Sequence, residues 1–285
     1  MDLNGDGKMD ILSGSYSRMG AETMAGLFQV IYGSDEGFSK AVPLKGTDDR
    51  PLLIPIKDGK DKITKAICTR PTAVDWDHDG DLDLVVGNFE GTFYLFRGQG
   101  RGKFAPKPEL LKCGERELRV SGGHSDPFMV DWDGDGDLDL VSGSAQGGVE
   151  WAENTAAKGE EPALCSFQRL LAAPGYGAAE KGAPSNSTRV WIEDVNGDGK
   201  LDLLLGDNAI INHPAKGLTE EEMAVKKKEW QKEVDATMAE MNKASASKEG
   251  RPPEELMTKY RELYKSRSKF MTEERTGYVW LYLRK

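Results

Sequence analysis

The sequence is poor in the residues on which most site chemistry depends. Only three histidines (His78, His124, His213) and three cysteines (Cys68, Cys113, Cys165) occur in 285 residues. The cysteines are widely spaced and odd in number, which excludes a disulfide scaffold and any paired Cys-x-x-Cys metal site. They read as small buried hydrophobes. Positive charge is short as well: 38 Lys and Arg stand against 48 Asp and Glu, a net charge of −10. That balance argues against nucleic acid or an anionic membrane as partner, because both need a positive face. No run of about 18 apolar residues occurs, so no segment is expected to span a membrane. The opening Met1-Asp2-Leu3-Asn4-Gly5-Asp6 has neither the basic nor the apolar stretch of an export signal.

What is present is a repeat. Asp2-Leu-Asn4-Gly-Asp6-Gly7-Lys8-Met-Asp10 returns as Asp75-Trp-Asp77-His-Asp79-Gly80-Asp81-Leu-Asp83, as Asp131-Trp-Asp133-Gly-Asp135-Gly136-Asp137-Leu-Asp139, and as Asp194-Val-Asn196-Gly-Asp198-Gly199-Lys200-Leu-Asp202. The first aspartates are 73, 56 and 63 positions apart. Short extended runs precede the last three copies: Arg70-Pro-Thr-Ala-Val, Asp126-Pro-Phe-Met-Val and Thr188-Arg-Val-Trp-Ile. Each copy leads into an apolar run that ends at Gly14, Gly87, Gly143 or Gly206. A third run follows at Gly26, Gly91 and Gly148, and far downstream at Gly277. A fourth spans Phe38 to Leu44, Phe104 to Leu111 and Leu164 to Leu171. β-Branched and aromatic residues fill these runs and glycines bound them. The unit is therefore four short antiparallel strands, A to D, with the Asp-rich loop joining A to B. Such a unit repeating every ~60 residues predicts an all-β fold of propeller blades.

The loop pattern predicts a metal site. Oxygen side chains at positions 1, 3 and 5 surround one point, glycine at position 6 allows the sharp turn, the position-7 carbonyl can turn inward, and Asp at position 9 closes the set. All-oxygen anionic ligation suits a hard cation, and Ca²⁺ more than Mg²⁺. Up to four Ca²⁺ are expected. The ligand sets are Asp2, Asn4, Asp6, Lys8 (carbonyl) and Asp10; Asp75, Asp77, Asp79, Asp81 and Asp83; Asp131, Asp133, Asp135, Asp137 and Asp139; and Asp194, Asn196, Asp198, Lys200 (carbonyl) and Asp202. An EF-hand fails on spacing, since position 12 is Ser13, Val86, Ser142 or Leu205 instead of Glu.

The pattern Asp-x-(Asp/Asn)-x-Asp-Gly-x-x-Asp, followed by an apolar strand ending in glycine, resembles the FG-GAP/VCBS repeats of integrin α-type calcium-binding β-propellers. The resemblance covers 1–210 and 276–285. It implies that the A–B loops lie on a lower face and that the B–C and D–A connections form an upper, ligand-binding face. There the strand ends collect Arg70, Asn88, Glu90, His124, Asp126, Ser144, Gln146, Arg189, Asp207 and Asn208, a set suited to a protein or carbohydrate ligand. Because the chain opens inside an A–B loop and closes on a C-like strand, it is expected to be a partial propeller, with any export signal preceding Met1. The role expected is that of a non-catalytic binding or adhesion module in an extracellular, cell-surface or periplasmic setting. The alternative is a carbohydrate-active enzyme resembling propeller-type polysaccharide lyases, with Arg70 or Arg189 beside Glu90 or Asp126. Gly123-His124-Ser125-Asp126 makes no triad, since consecutive residues cannot oppose one another in space.

Between the propeller segment 1–213 and a last strand in 276–285, residues 214–275 break the repeat. Thr219-Glu-Glu-Glu222 is a capping box, with Leu218 and Met223 as hydrophobic staple. Met223, Trp230, Val234, Met238 and Met241 share one helical face; Leu256, Tyr260, Leu263, Tyr264, Phe270 and Met271 form the face of a second helix. A helical hairpin is predicted, which offers a second surface to a protein partner or an assembly. Trp76 and Trp132 are expected between blades, and Pro51 to Ile56 is too apolar to lie bare. The charge has the same address as the repeat. The four loops contain 16 Asp and two Lys, while residues 214–275 contain 14 basic and 13 acidic residues. The acidity belongs to the loops.

Overall fold

The computed structural model describes residues 1–16, 26–56, 63–157, 160–174, 182–245 and 252–285. The connection 246–251 between the two expected helices lies outside the described residues. Short antiparallel sheets follow the order of the repeats. Strand β1 (Ile11–Ser13) pairs with β2 (Gln29–Ile31), which pairs with β5 (Val42–Pro43); between them β3 (Gly33–Ser34) and β4 (Gly37–Phe38) form a small hairpin. The second sheet is a meander of β6 (Arg70–Val74), β7 (Asp83–Gly87), β8 (Phe93–Phe96) and β9 (Glu109–Leu110), followed by the hairpin β10 (Lys112–Cys113) and β11 (Arg116–Glu117). The third is β12 (Asp126–Val130), β13 (Asp139–Gly143), β14 (Val149–Ala152) and β15 (Gln168–Leu171). In the fourth, β16 (Arg189–Glu193) pairs with β17 (Asp202–Gly206), and β17 pairs with β20 (Val279–Tyr282). The chain between β17 and β20 forms β18 (Ala209–Pro214), α1 (Glu220–Ser245), α2 (Glu254–Ser266) and β19 (Met271–Thr276).

One register recurs. Val74 lies opposite Asp83, Val130 opposite Asp139 and Glu193 opposite Asp202, so the ninth loop position is the first residue of the following strand. Alternation then sends successive side chains to opposite faces. Leu84 and Val86 join a core with Phe28 and Val30 of the first sheet, while Val85 joins Leu140 of the third. Val141 in turn packs with Leu203 and Leu205 of the fourth. The second and third sheets thus each share one core with the sheet before and another with the sheet after. Phe93, Phe96, Phe28 and Phe104 are fully buried, and each contributes about 2–3 kcal/mol of transfer free energy.

The outermost strands are shorter than the sequence predicts. β5 keeps only Val42 and Pro43, and β9 only Glu109 and Leu110. Phe38 falls in the β3–β4 hairpin at 62 % exposure, and Phe104 and Leu164 pair only through isolated bridges. Prolines at 43, 106 and 108 deny these segments backbone donors, which confines regular pairing. Leu52 and Ile54 are buried in the first core, with the Leu52 N–H donating to the Leu44 carbonyl at 2.9 Å, whereas Pro55 and Ile56 at the end of the stretch are exposed.

The chain divides into two units, Met1–Ala209 with Gly277–Lys285, and Ile210–Thr276. In the second, the Thr219 N–H donates to Glu222 Oε2 (2.8 Å) and the Glu222 N–H to Thr219 Oγ1 (3.2 Å), a closed capping box. The Trp230 indole stacks edge-on against Tyr264 at 5.4 Å and donates to the Leu263 carbonyl at 2.7 Å, which fixes α1 to α2. Two sequence expectations change here. α2 ends at Ser266, so Phe270 and Met271 are not helical; a 3₁₀ turn at Arg267–Lys269 delivers them to β19, where they pack on Met223. Met238 is 43 % exposed although Val234 on the expected face is 2 % exposed, because the buried stripe of α1 runs through Thr237, which is 0 % exposed. Strands β18 and β19 pair at the base of the helices. Among the described residues no helix is long and apolar enough to cross a membrane.

Candidate metal loops and polar face

The four Asp-rich loops share one hydrogen-bond scheme. The position-6 glycine N–H donates to Oδ2 of the position-1 aspartate: Gly7 to Asp2 (2.7 Å), Gly80 to Asp75 (3.2 Å), Gly136 to Asp131 (3.1 Å) and Gly199 to Asp194 (2.8 Å). The position-5 N–H donates to Oδ1 of position 3 in every loop, from Asp6 to Asn4, Asp79 to Asp77, Asp135 to Asp133 and Asp198 to Asn196. The N–H of Lys8, Asp81, Asp137 and Lys200 at position 7 donates to Oδ1 of position 5. These side-chain acceptors wind the loop around a common centre, as Asx turns do.

Position 9 does different work. Oδ1 of Asp10, Asp83, Asp139 and Asp202 accepts the N–H of Gly33, Gly98, Asn154 and Arg284, at 2.9, 2.7, 2.8 and 2.9 Å. Each donor stands two residues past the strand that pairs with the one the loop leads into, β2, β8, β14 or β20, so this carboxylate ties the loop to the sheet. Oδ2 accepts a second N–H in three loops, from Leu3, Trp132 and Val195. In the second loop Asp83 Oδ2 is buried without a partner.

The second and third loops gather carboxylates most closely. One oxygen from each of Asp75, Asp77 and Asp79, and from each of Asp131, Asp133 and Asp139, lies within 4.8 Å of the others, so both groups could hold a metal ion. Asp75 Oδ1, Asp83 Oδ2 and Asp137 Oδ1 are buried with no hydrogen-bond partner. Buried anionic oxygens without donors are costly, and an all-oxygen set of this kind fits a hard cation. Burial pushes the Asp83 and Asp139 carboxyls up to about 6, against the lowering effect of their backbone donors; burial and then the neighbouring aspartates also raise Asp137. In the first and fourth loops Asn4 and Asn196 replace one carboxylate, and Lys8 pairs with Asp35.

Sequence reasoning missed two arginines at these loops. Arg97 donates to Asp77 Oδ2 at 2.9 Å and also pairs with Glu109 and Glu161. Arg284 lies over the Trp132 ring at 4.7 Å and donates to the Trp132 carbonyl at 2.8 Å, which joins the third loop to the fourth. Trp76 is 2 % exposed and its indole donates to Leu138 of the next repeat. Trp132 belongs to the core shared by the third and fourth sheets.

At the opposite strand ends, three of the expected ligand residues form a row. Arg70, Asp126 and Arg189 open β6, β12 and β16. Arg189 donates to Asp126 Oδ1 at 2.8 Å, Arg70 lies 3.9 Å from the same oxygen, and the Val190 N–H donates to Asp126 Oδ2 at 2.9 Å. Burial nevertheless raises Asp126 to about 6, with Arg70 and the Val190 N–H opposing the shift. Arg70 donates to the His124 carbonyl at 2.9 Å, and the His124 ring packs on Phe89 at 4.3 Å. Burial and then the Arg70 charge lower the His124 pKa. Gln146 is exposed and lines a polar pocket of about 270 Å³ with Ser121, Glu150 and Arg169. Glu90 lies 4.0 Å from Arg119.

Two expected ligand residues are held within the fold instead. Asn88 is fully buried, its side chain donating to Thr92 Oγ1 and accepting from Gly91 and Thr92 N–H, because the turn into β8 needs those partners. Asp207, half-buried, accepts from Ser185 and Tyr278 N–H and so ties the chain before β16 to the start of β20. A hydroxyl device escaped notice altogether. Thr69, Ser125 and Thr188 precede β6, β12 and β16, and their hydroxyls accept the N–H of Ser15, Asn88 and Ser144 of the preceding repeat, at 3.0, 2.8 and 2.8 Å. The signal was a Ser or Thr one residue ahead of each inner strand.

Residues 75–142 and 131–205 each match the FG-GAP-like repeat, the two matches overlapping across the third Asp-rich loop. No curated protein matches the chain significantly.

Proposed function

We propose, from the premise that residues 75–205 are FG-GAP-like repeats, that the chain is a non-catalytic binding module whose sheets are blades of a calcium-stabilised β-propeller. One observation carries the reading. Three carboxylates converge in each of the second and third loops, and buried oxygens of Asp75, Asp83 and Asp137 have no donor. A hard cation supplies the charge and the ligand bonds those oxygens lack. The first and fourth loops repeat the same turn, with one amide oxygen in place of a carboxylate, and are assigned weaker sites.

Calcium binding to the folded chain alone raises stability by mass action. Extracellular modules of this ligand type work at roughly 0.1–1 mM Ca²⁺, which suits the outside of a cell or a periplasm. The ligand face assigned is the strand end opposite the loops, where Arg70, Asp126, Arg189, His124 and Gln146 suit a polar protein or carbohydrate ligand. A five-residue strand separates that face from the ions by about 17 Å, so calcium acts there through the scaffold. The helical pair of Ile210–Thr276 is assigned a protein partner. Thermal melts in EDTA and in millimolar CaCl₂ test the calcium role. The melting temperature is expected to rise with calcium and to rise less with magnesium; equal temperatures in EDTA and CaCl₂ overturn it.

A further inference from the structure

The pocket of about 270 Å³ beside Gln146 opens where the second repeat meets the third, and most of its polar groups are not consumed by the fold. Ser144 and Gly148 are its buried members, the Ser144 hydroxyl donating to the Gly148 carbonyl at 3.4 Å. Leu171, Ala172 and Ala173 line it with alkyl groups. A Cβ on Gly148 would lie 3.1 Å from the Ala173 backbone nitrogen, so the glycine lets the chain after β15 come close. Ser121 and Gln146 line it from exposed positions, and a Cβ on Gly122 would come within 2.9 Å of the Gln146 side chain. The charged residues of the lining are Glu150 of β14 and Arg169 of β15.

Glu150 and Arg169 lie opposite each other across the two strands. Side chains in that relation have Cβ atoms about 5 Å apart, within reach of an ion pair, yet these two form none among the described residues. The register gives the reason. Val149 lies opposite Leu171 and Glu150 opposite Arg169, which leaves Leu170 as the extra residue of a bulge. A bulge bends its strand and re-aims the side chains beside it. Among the described residues the Arg169 guanidinium has neither a hydrogen bond nor an ion pair, and the Gln146 amide and Ser121 hydroxyl have no hydrogen-bond partner. Glu150 accepts the Ser121 N–H on Oε2 at 2.8 Å, which leaves Oε1 open. One cation and one anion thus line the same pocket side by side, each without a countercharge.

We infer that this pocket binds the zwitterion of a small neutral α-amino acid, its carboxylate on Arg169 and its ammonium on Glu150. A guanidinium takes a carboxylate through two parallel N–H···O bonds, and Glu150 Oε1 accepts from the ammonium. Ser121 and Gln146 add hydrogen bonds, and Leu171, Ala172 and Ala173 receive the side chain. Other small ligands fail on charge. An anion leaves Glu150 uncompensated, a cation leaves Arg169, and a neutral sugar takes water from both and returns no countercharge. The volume stands at the small end of ligand pockets, which suits one amino acid and not a peptide. This site goes beyond the function proposed above, which gives the face a macromolecular ligand, and it includes none of the loop aspartates.

Calorimetric titration of the full chain in CaCl₂ with glycine, L-alanine, L-serine, L-valine and L-leucine tests this. At least one of them is expected to bind at a single site. Its N-acetyl and its amide derivative each lack one charge and are expected to bind about tenfold more weakly or worse. Arg169→Met and Glu150→Gln are expected to weaken the free amino acid by as much. Arg169 is exposed and Glu150→Gln keeps an acceptor for the Ser121 N–H, so both variants should retain the native melting temperature. Should either fail to fold, the two derivatives put the same question to the native chain. Silence of all five amino acids, equal affinity for either derivative, binding of D-glucose in their place, or a response that survives both variants overturns the inference. Amino-acid binding beside equal melting temperatures in EDTA and CaCl₂ removes the calcium role and leaves the pocket standing. Silence beside a calcium-dependent melt removes the pocket alone.

Discussion

His78 occupies the fourth loop position, where the other loops have Gly5, Gly134 and Gly197. All four residues lie in the left-handed region, with φ of 61° at His78 and 74°, 86° and 75° at the glycines. A side chain is strained there, and a β-branched one most of all. His78→Val should lower stability by about 1–2 kcal/mol, and His78→Gly should leave it unchanged or raise it by up to about 1 kcal/mol. Urea unfolding in calcium measures both. The carboxyls of Asp83, Asp126 and Asp139 give a second residue-scale expectation. Their folded pKa values lie at about 6, above the ordinary value of 3.8. Between these limits the folded chain holds protons that the unfolded chain has released. Stability from these groups is greatest on the acid side and falls as pH rises from about 4 to about 6. Urea midpoints across that range in EDTA should decline; a flat or rising profile contradicts the assignment.

At the scale of elements, the strand following each loop starts at or just after the position-9 aspartate, and in the first three repeats it ends at a glycine pressed on the next sheet. Gly143 has the Thr188 carbonyl 2.4 Å from where a Cβ would sit, and neither backbone can yield. Gly143→Ala should cost about 3 kcal/mol or more, the upper end of overpacking penalties. Gly206→Ala, with only ordinary contact at 3.7 Å, should change monomer stability by less than about 1 kcal/mol. Similar losses from both in thermal unfolding would show that the glycines serve their own strands and not the packing between sheets. The helical pair follows a different logic. Its capping box, staple and Trp230 anchor are local or nearly so, and they keep α1 and α2 together within Ile210–Thr276.

For the whole molecule, charge placement matters more than its sum. A net −10 spread evenly would be unremarkable, but the loops hold 16 aspartates with two lysines. In EDTA these clusters repel themselves, and salt screens exposed charge with a Debye length of about 10 Å at 0.1 M. Metal-free stability should therefore rise with NaCl, while in limiting calcium NaCl should lower it by weakening cation binding. Melting temperatures on a salt series with and without EDTA check the two opposite slopes; slopes of the same sign dissociate the charge clusters from stability.

The sequence alone determined what is local and periodic. Four turns in one register fixed the loop chemistry, the residues that begin and end each following strand, and the capping box at Thr219, because Asx turns, glycine turns and helix caps depend on neighbours a few positions away. Tertiary structure decided whatever depends on partners distant in the chain. It turned Asn88 inward to brace its own turn, spent Asp207 on Ser185 and Tyr278, brought Arg97 to Asp77 and Arg284 to Trp132, and ended α2 early so that Phe270 reaches Met223 from the turn before β19. It also set Gly206 apart from glycines with the same sequence context. Whether another sheet lies against a face is a property of packing, which the repeat pattern does not state.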